Sequence, residues 1–168
     1  MNINSISASD PDFPLRLRHI PTPPHELFYR GKLPDPARKS VAIIGTRKPT
    51  RYGTEVTLAL AERLAERGVV IISGLALGVD ALAHEGALKA KGLTVAVLAG
   101  GVDNPTPYTN AHIAEKILAH EGALISEYPS GMPAMSHQFL ERNRIVSGLA
   151  DAIIVTEASI RSGTSNTV

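Results

Sequence analysis

The sequence predicts an α/β fold, a doubly wound, mainly parallel sheet of the extended Rossmann type with helices on both faces and an irregular Pro-rich N-terminal arm. Short apolar runs, rich in β-branched residues, alternate with amphipathic stretches from Val41 onwards. Gly68, Gly92 and Gly122 follow three of the amphipathic stretches, where left-handed helix caps are common. This alternation indicates parallel strands joined by right-handed helical crossovers.

Residues 1–40 are predicted to form an ordered arm that packs on the domain. Seven of the 12 prolines lie in this segment, and they forbid a long helix. Within the arm, Glu26–Arg30 is a possible edge strand. Residues 41–168 are predicted to form the Rossmann-like domain. This domain is expected to be C-terminally incomplete, because the chain stops at Val168 where another helix should begin.

The predicted elements follow one another at regular spacing. In the first helix Val56, Ala59, Leu60 and Leu64 share a face. A Rossmann-like strand order would make the first and fourth strands neighbours. The predicted strands are Val41–Ile44, Val69–Ser73, Thr94–Leu98, Ala123–Tyr128 and Ala152–Thr156, and the predicted helices are Gly53–Arg67, Val79–Lys91, Asn110–Glu121 and Phe139–Ala150.

Length and composition restrict the possible functions. The chain has 168 residues and a net charge of +1, so it suits one domain, and any site for nucleic acid must concentrate its positive charge locally. The absence of cysteine excludes disulfides and thiolate chemistry. No signal peptide and no membrane-spanning run is recognisable. A soluble, cytoplasmic protein without a membrane partner is therefore expected.

The loop after the first strand is the strongest candidate binding site. It begins at Gly45 and carries Thr46, Arg47, Lys48 and Arg51 before the first helix. Free backbone N–H groups and the helix dipole make a helix N-terminus receptive to phosphate. Arginine and lysine side chains add donors of the same charge. We therefore predict a phosphate-bearing ligand at this loop.

Other strand-to-helix turns are candidates for close approach of a phosphate. None of them forms the dinucleotide fingerprint G-x-G-x-x-G. The Gly-Gly pair after the third strand is equally consistent with a wide surface loop. The candidate turn residues are Gly74, Gly78, Gly100, Gly101, Ser162, Gly163 and Thr164.

Asp80 and His84 lie one helical turn apart and could pair. They could act as an acid/base couple. The favoured interpretation is structural, with Asp80 as a first-turn carboxylate and His84 as its packed neighbour.

The fourth helix carries an unusual polar cluster. On a helical wheel, Arg142 and Asn143 lie on the packed side defined in part by Phe139, whereas Arg144 points away. Buried polar groups need partners. Arg142 must therefore either pair internally, with Glu127 or Glu157 as the candidates, or meet a phosphate. Phe139 could stack a base or simply fill the core.

The sequence lacks a Walker P-loop, H-E-x-x-H, G-x-S-x-G and a dense metal-ligand cluster. No nucleophile is accompanied by a base. Binding without catalysis is thus predicted, with no cofactor and no metal.

Several short motifs occur in fixed order along the chain. They are Gly45-Thr46-Arg47, Ser73-Gly74-Leu75-Ala76-x-Gly78-x-Asp80-x-x-Ala83-His84, Ser126-Glu127-Tyr128-Pro129, Phe139-x-x-Arg142-Asn143-Arg144-Ile145 and Glu157-Ala158 before Ser162-Gly163. Together they resemble the DNA-processing protein A (DprA, or Smf) family, over nearly the whole chain from about Pro11. The family's usual Ser-Gly-Ser ending reads Ser-Gly-Thr here.

The resemblance implies a Rossmann domain that binds single-stranded DNA, partners a RecA-type recombinase in natural transformation and DNA recombination, and forms a homodimer in the full-length protein. It implies that the phosphate approaches the main chain at Gly45. The alternative function is a nucleotide-binding or nucleoside-phosphate-hydrolysing enzyme that uses Glu157 or Asp80. The predicted DNA-binding residues are Gly45, Thr46, Arg47, Lys48, Arg51, Gln138, Phe139, Arg142, Asn143 and Arg144.

Overall fold

A computed structural model describes residues 2–158, and its described elements confirm the predicted fold class. Short 3-10 turns at Leu15–His19 and Tyr108–Asn110 complete the secondary structure of this range. The strands are β1 (Asn4–Ser7), β2 (Glu26–Gly31), β3 (Ser40–Ile44), β4 (Val70–Ser73), β5 (Thr94–Val97), β6 (Ala123–Ser126) and β7 (Ala152–Val155), and the helices are α1 (Arg51–Glu66), α2 (Val79–Lys89), α3 (Ala111–Ala119) and α4 (Ser136–Leu149).

The seven strands form one sheet in the order β1-β2-β6-β5-β4-β3-β7. Strands β3 to β7 are parallel, whereas β1 and β2 are antiparallel to their neighbours. The expected adjacency of the first and fourth parallel strands is wrong, because β3 pairs with β4 and β7. The chain advances one strand at each crossover from β3 to β6, and α4 then returns it across the sheet to β7.

The helices cover both faces of the sheet because the crossovers change direction once. Successive residues of β3 show the two layers: Ala42 and Ile44 join the core beneath α4, whereas Ile43 packs with α1 and α2 on the opposite face. Helix α4 contacts β3, β4 and β5. It therefore lies obliquely over the centre of the sheet, and its first turn is carried towards the loops at the carboxyl ends of these strands.

The buried face of α1 differs from the predicted one. Thr57, Ala61 and Ala65 are buried, whereas Val56 is half-buried and Ala59 is exposed. The reason is the close packing of α1 against α2, where a Cβ on Gly86 would meet Ala61 Cβ at 2.8 Å. Small side chains thus form the contact between these two helices, and the larger apolar residues lie at its margin.

The N-terminal segment contributes to the same sheet and to the core beneath α4. Phe13, Leu17 and Leu27 are fully or almost fully buried in that core. The segment Glu26–Gly31 is a strand, but it is second from the edge, because β1 pairs along its outer side. The division of the chain at residue 40 stays a prediction.

Within residues 2–158, none of the helices is both long and apolar enough to cross a bilayer.

Candidate nucleic-acid interface

The loops that follow β3, β4, β5 and β6 are joined to one another at the carboxyl edge of the sheet. The backbone N–H of Val79 donates to the carbonyl of Thr46 at 3.1 Å, which joins the first two loops. The N–H of Gly101 donates to Met132 at 2.9 Å, which joins the third and fourth. These backbone hydrogen bonds hold neighbouring loops, which carry many of the predicted site residues, in fixed positions relative to one another.

The N-terminus of α1, where we predicted the phosphate, already holds a carboxylate of the protein. Thr50 caps the helix by accepting a hydrogen bond from Gly53 N–H at 3.1 Å. Both the N–H and the hydroxyl of Thr50 donate to the Glu157 carboxylate, at 3.0 and 2.9 Å for Oε2. Glu157 thereby takes the position next to the positive end of the helix dipole.

The same residue also occupies the Gly45–Thr46 turn. The Glu157 carbonyl accepts a hydrogen bond from Thr46 N–H at 2.7 Å, and a Cβ on Gly45 would meet that carbonyl at 2.5 Å. The approach of a phosphate to the main chain at Gly45, which the resemblance implies, is therefore blocked by the protein itself in this structure.

Three predicted cations remain exposed at this edge. Arg51 pairs with Glu55 on its own helix at 2.9 Å, and both side chains are well exposed. Arg47 and Lys48 form no ion pair with any residue that the structure describes. The guanidinium carbon of Arg47 lies 5.8 Å from the centroid of the Phe139 ring, within the range of a cation–π contact. The predicted loop and the predicted helix thus meet at Arg47 and Phe139.

Arg142 is buried, with only 4% of its surface exposed. Its Nη1 donates to the carbonyl of Gly74 at 2.6 Å and to that of Val97. Burial lowers the pKa of its guanidinium, and the nearby Asp80 opposes this shift. Of the two alternatives for Arg142, the structure shows internal pairing, and the acceptors are the carbonyls of Gly74 and Val97 instead of Glu127 or Glu157. The guanidinium points into the protein, and a DNA contact of this residue stays a prediction.

Arg144 is held by a carboxylate. Its Nη1 and Nη2 each donate to a different oxygen of Glu127 at 2.7 Å, and this bidentate contact raises the pKa of its guanidinium. Its Nε donates to the Thr22 carbonyl at 2.9 Å. This arginine therefore joins the N-terminal segment, β6 and α4, and most of its charge is compensated.

The two amide residues predicted for the site, Gln138 and Asn143, belong to α4. Gln138 is 5% exposed, and its Oε1 accepts a hydrogen bond from Met135 N–H at the start of the helix. Asn143 is half-buried. Gln138 thus caps its own helix, which accounts for its polar side chain in a buried position.

The predicted phosphate-approach turns have internal neighbours. A Cβ on Gly74 would overlap the guanidinium of Arg142, and one on Gly78 would overlap the backbone of Thr46 and Arg47. A Cβ on Gly100 would meet Ala134 N at 2.8 Å, and one on Gly101 would meet Asp103 Oδ1 at 2.5 Å. The protein's own chain fills these spaces and explains the glycines. The remaining candidates, Ser162, Gly163 and Thr164, lie outside the described residues.

Asp80 and His84 do not pair with each other. Asp80 Oδ2 accepts a hydrogen bond from Gly74 N–H at 3.1 Å, and burial raises the pKa of its carboxyl. His84 Nδ1 lies 2.7 Å from the Thr94 hydroxyl, which donates to the Ile71 carbonyl. Neither side chain reaches the surface, so the structural interpretation fits and an acid/base couple does not.

Two features of this edge were not predicted. One is the capping carboxylate of Glu157, which is 107 residues from Thr50 at the N-terminus of α1, and no local pattern marks it. The other is the exposed apolar surface around Phe139, where Met135 is 52% and Leu140 49% exposed. Large apolar residues on both sides of the aromatic residue in the sequence were the available signal for this second feature.

Comparison with known proteins gives a consistent result. A family model described as DNA recombination-mediator protein A matches residues 4–168. The putative DNA processing protein DprA of Mycobacterium tuberculosis is 46% identical over 137 residues, 82% of this chain and 35% of the relative. The DprA protein of Bacillus subtilis is 38% identical over 162 residues, 96% of this chain and 54% of the relative. The chain therefore spans about a third to a half of these relatives.

Solved structures agree. DNA processing protein A from Streptococcus pneumoniae has a TM-score of 0.90 at 34% identity, over 99% of this chain and 58% of that one. The protein from Helicobacter pylori, described with a single-stranded DNA binding mode, has a TM-score of 0.88 at 33% identity, over 99% and 74% of the two chains. The chain therefore belongs to the DNA recombination-mediator protein A family, which includes relatives named DprA and Smf.

Proposed function

We propose that this chain binds single-stranded DNA at the carboxyl edge of its sheet, where Arg47 and Phe139 form the centre of the contact. The observation that carries the proposal is the exposed guanidinium of Arg47 at 5.8 Å from the Phe139 ring. A cation beside an aromatic face offers one group for a phosphate and another for a base.

Each part of a nucleotide has a matching group at this edge. Arg47 and Lys48 are exposed and supply positive charge for the phosphates. Phe139 supplies a ring, and the exposed side chains of Met135 and Leu140 extend its apolar surface. Only unpaired bases can reach such a surface, because the bases of a duplex are stacked and paired. The expected binding prefers single strands and tolerates any sequence.

The likeness to relatives named DNA processing protein supports this proposal, as does the single-stranded DNA binding described for the Helicobacter pylori protein. By the same likeness we propose that the full-length protein is cytoplasmic, forms a homodimer and loads a RecA-type recombinase onto DNA during natural transformation, without catalysis of its own. The alternative as a nucleotide-processing enzyme is less favoured, because Glu157 caps α1 and Asp80 is buried.

A titration of the chain with labelled oligothymidine and with duplex DNA of equal length tests the proposal. Fluorescence anisotropy should show tighter binding to the single strand. Phe139→Leu removes the π face but keeps apolar bulk, and we expect it to weaken single-strand binding about tenfold, the value of one lost base stack. Phe139→Tyr keeps the ring and should retain most of the affinity. Equal affinity for both DNAs, or an unchanged affinity of Phe139→Leu, would contradict the proposal.

A further inference from the structure

The buried guanidinium of Arg142 connects two sequence motifs that the proposed DNA contact leaves unexplained. Arg142 belongs to α4 on one face of the sheet, and Asp80 belongs to α2 on the other face. Both side chains are buried, with 4% and 7% of their surface exposed. Isolated buried charges are costly, so the two residues require each other and the polar groups around them.

The peptide groups of Gly74 lie between these two charges. Its N–H donates to Asp80 Oδ2 at 3.1 Å, and its carbonyl accepts from Arg142 Nη1 at 2.6 Å. The same Nη1 also donates to the carbonyl of Val97, the last residue of β5. Arg142 therefore ties α4 to the ends of two central strands, and Asp80 extends the connection to α2.

Glycine at position 74 is a consequence of this arrangement. A Cβ at this residue would overlap the guanidinium of Arg142, with Nη1, Cζ and Nη2 as its three nearest atoms. The glycine of the second-strand motif thus makes room for the arginine of the α4 motif. The close approach serves the protein's own side chain, which differs from the phosphate approach that the sequence suggested.

The same connection reaches both residues of the proposed DNA contact. Phe139 precedes Arg142 by one turn of α4 and so projects from the same side of the helix. The loop that starts at Gly74 ends at Gly78, whose φ of +77° lets it pack on the backbone of Thr46 and Arg47. The N–H of Val79 then holds the Thr46 carbonyl at 3.1 Å.

We propose that Arg142 is a positioning residue. With Asp80 and Gly74 it fixes the separation between the Phe139 ring and the Arg47 loop, and it makes no contact with DNA. The inference rests on the proposed function, and it explains why a cation in the DNA-binding motif points away from solvent. Removal of one partner alone leaves a buried unpaired charge, which is strongly destabilising. The test therefore exchanges both partners together, as Arg142→Met with Asp80→Asn, which leaves the net charge unchanged.

The first measurement needs no DNA. The chain has no tryptophan, so Phe139→Trp provides a single tryptophan at the site, which can be excited selectively over the four tyrosines. In the paired Arg142→Met and Asp80→Asn variant we expect the emission to shift to the red and the quenching constant for acrylamide, a neutral quencher, to rise while circular dichroism stays native. A native spectrum with unchanged quenching would overturn the inference. If the paired variant does not fold, Gly74→Ala replaces it, because its Cβ would displace the guanidinium of Arg142, and a native spectrum with a wild-type quenching constant in that variant has the same meaning.

The second measurement is a double-mutant cycle on oligothymidine binding. The paired exchange should reduce affinity about tenfold in the wild-type background, as the loss of one base stack would. It should reduce affinity clearly less in the Phe139→Leu background, because a positioning residue acts through that ring. Additive losses would mean that Arg142 contacts the DNA independently and would overturn the inference. A chain that binds no DNA at all contradicts the proposed function, yet the quenching experiment still decides the positioning role.

Discussion

Replacement of Arg47 by alanine should reduce both the affinity for single-stranded DNA and its dependence on salt. Each phosphate neutralised by a cation releases counterions, and for single strands the slope of log K against log salt is about −0.7 per contact. The number of cations that are available to phosphates therefore sets the slope. The structure allows this number to be counted before any measurement.

The sequence predicts five cations for the site: Arg47, Lys48, Arg51, Arg142 and Arg144. In the structure, Arg144 is held by Glu127 and Arg142 is buried, whereas the surface ion pair of Arg51 with Glu55 leaves Arg51 well exposed. The three available cations predict a slope of about −2.1, whereas five would give about −3.5. Between 50 and 200 mM salt, these slopes correspond to affinity losses of roughly 18-fold and roughly 130-fold.

Arg47→Ala should therefore lower the slope by about a third, to about −1.4. Fluorescence anisotropy with labelled oligothymidine at several salt concentrations measures this directly. The matched control is Arg63→Ala, because Arg63 is also exposed but lies in the last turn of α1, at the opposite end of that helix. An equal loss of slope in both variants, or a wild-type slope near that of five contacts, would refute the reasoning.

Two further predictions concern stability. Glu157→Ala should lower the free energy of unfolding by about 1–2 kcal/mol, because it removes the carboxylate that holds the N-terminus of α1. The control Glu55→Ala should lower it by less than about 0.5 kcal/mol, because the ion pair of Glu55 is exposed. Urea unfolding followed by circular dichroism compares the two variants, and equal losses would contradict the capping role of Glu157. Burial and the nearby Arg142 lower the pKa of His84 from 6.5 to about 3. Between these two pH values the histidine is protonated in the unfolded chain but neutral in the folded protein. The free energy of unfolding is therefore unaffected by His84 above pH 6.5 and should fall by about 1.4 kcal/mol per pH unit as the pH decreases towards 3. The raised pKa of Asp80 acts in the opposite direction, so the difference between the wild type and His84→Gln isolates the effect of the histidine. His84→Gln should lose this part of the dependence of stability on pH, whereas replacement of the exposed His112 by glutamine should retain it. Parallel curves of unfolding free energy against pH for the wild type and His84→Gln would refute the assignment of this effect to His84.

The parallel strands and helices of this chain were predictable because their signals are local. Buried parallel strands such as Val70–Ser73 are short, mainly apolar runs, and a glycine shortly follows three of the helices. The four-residue strand Asn4–Ser7 was not predicted, because it lies at the sheet edge and only one of its residues is buried. Its pairing with β2 is a tertiary contact that a short polar segment does not indicate.

The site was predicted in part, for a related reason. Cations near a strand end, such as Arg47, are visible in the sequence, but their partners are not. Glu127 and Glu157 were both considered for Arg142, whereas the fold gives Glu127 to Arg144 and Glu157 to the N-terminus of α1. The choice among carboxylates depends on strand order, and the strand order depends on the return of α4 across the sheet.

The return of α4 across the sheet determines when the proposed DNA-binding surface forms during folding. Arg47 and Phe139 are brought together only after three successive crossovers have been completed and a fourth has reversed direction, so the contact joins widely separated parts of the chain. Long-range closures of this kind form late in folding. During synthesis the loop that carries Arg47 therefore emerges long before Phe139. The contact between the two residues exists only in molecules whose sheet is already assembled.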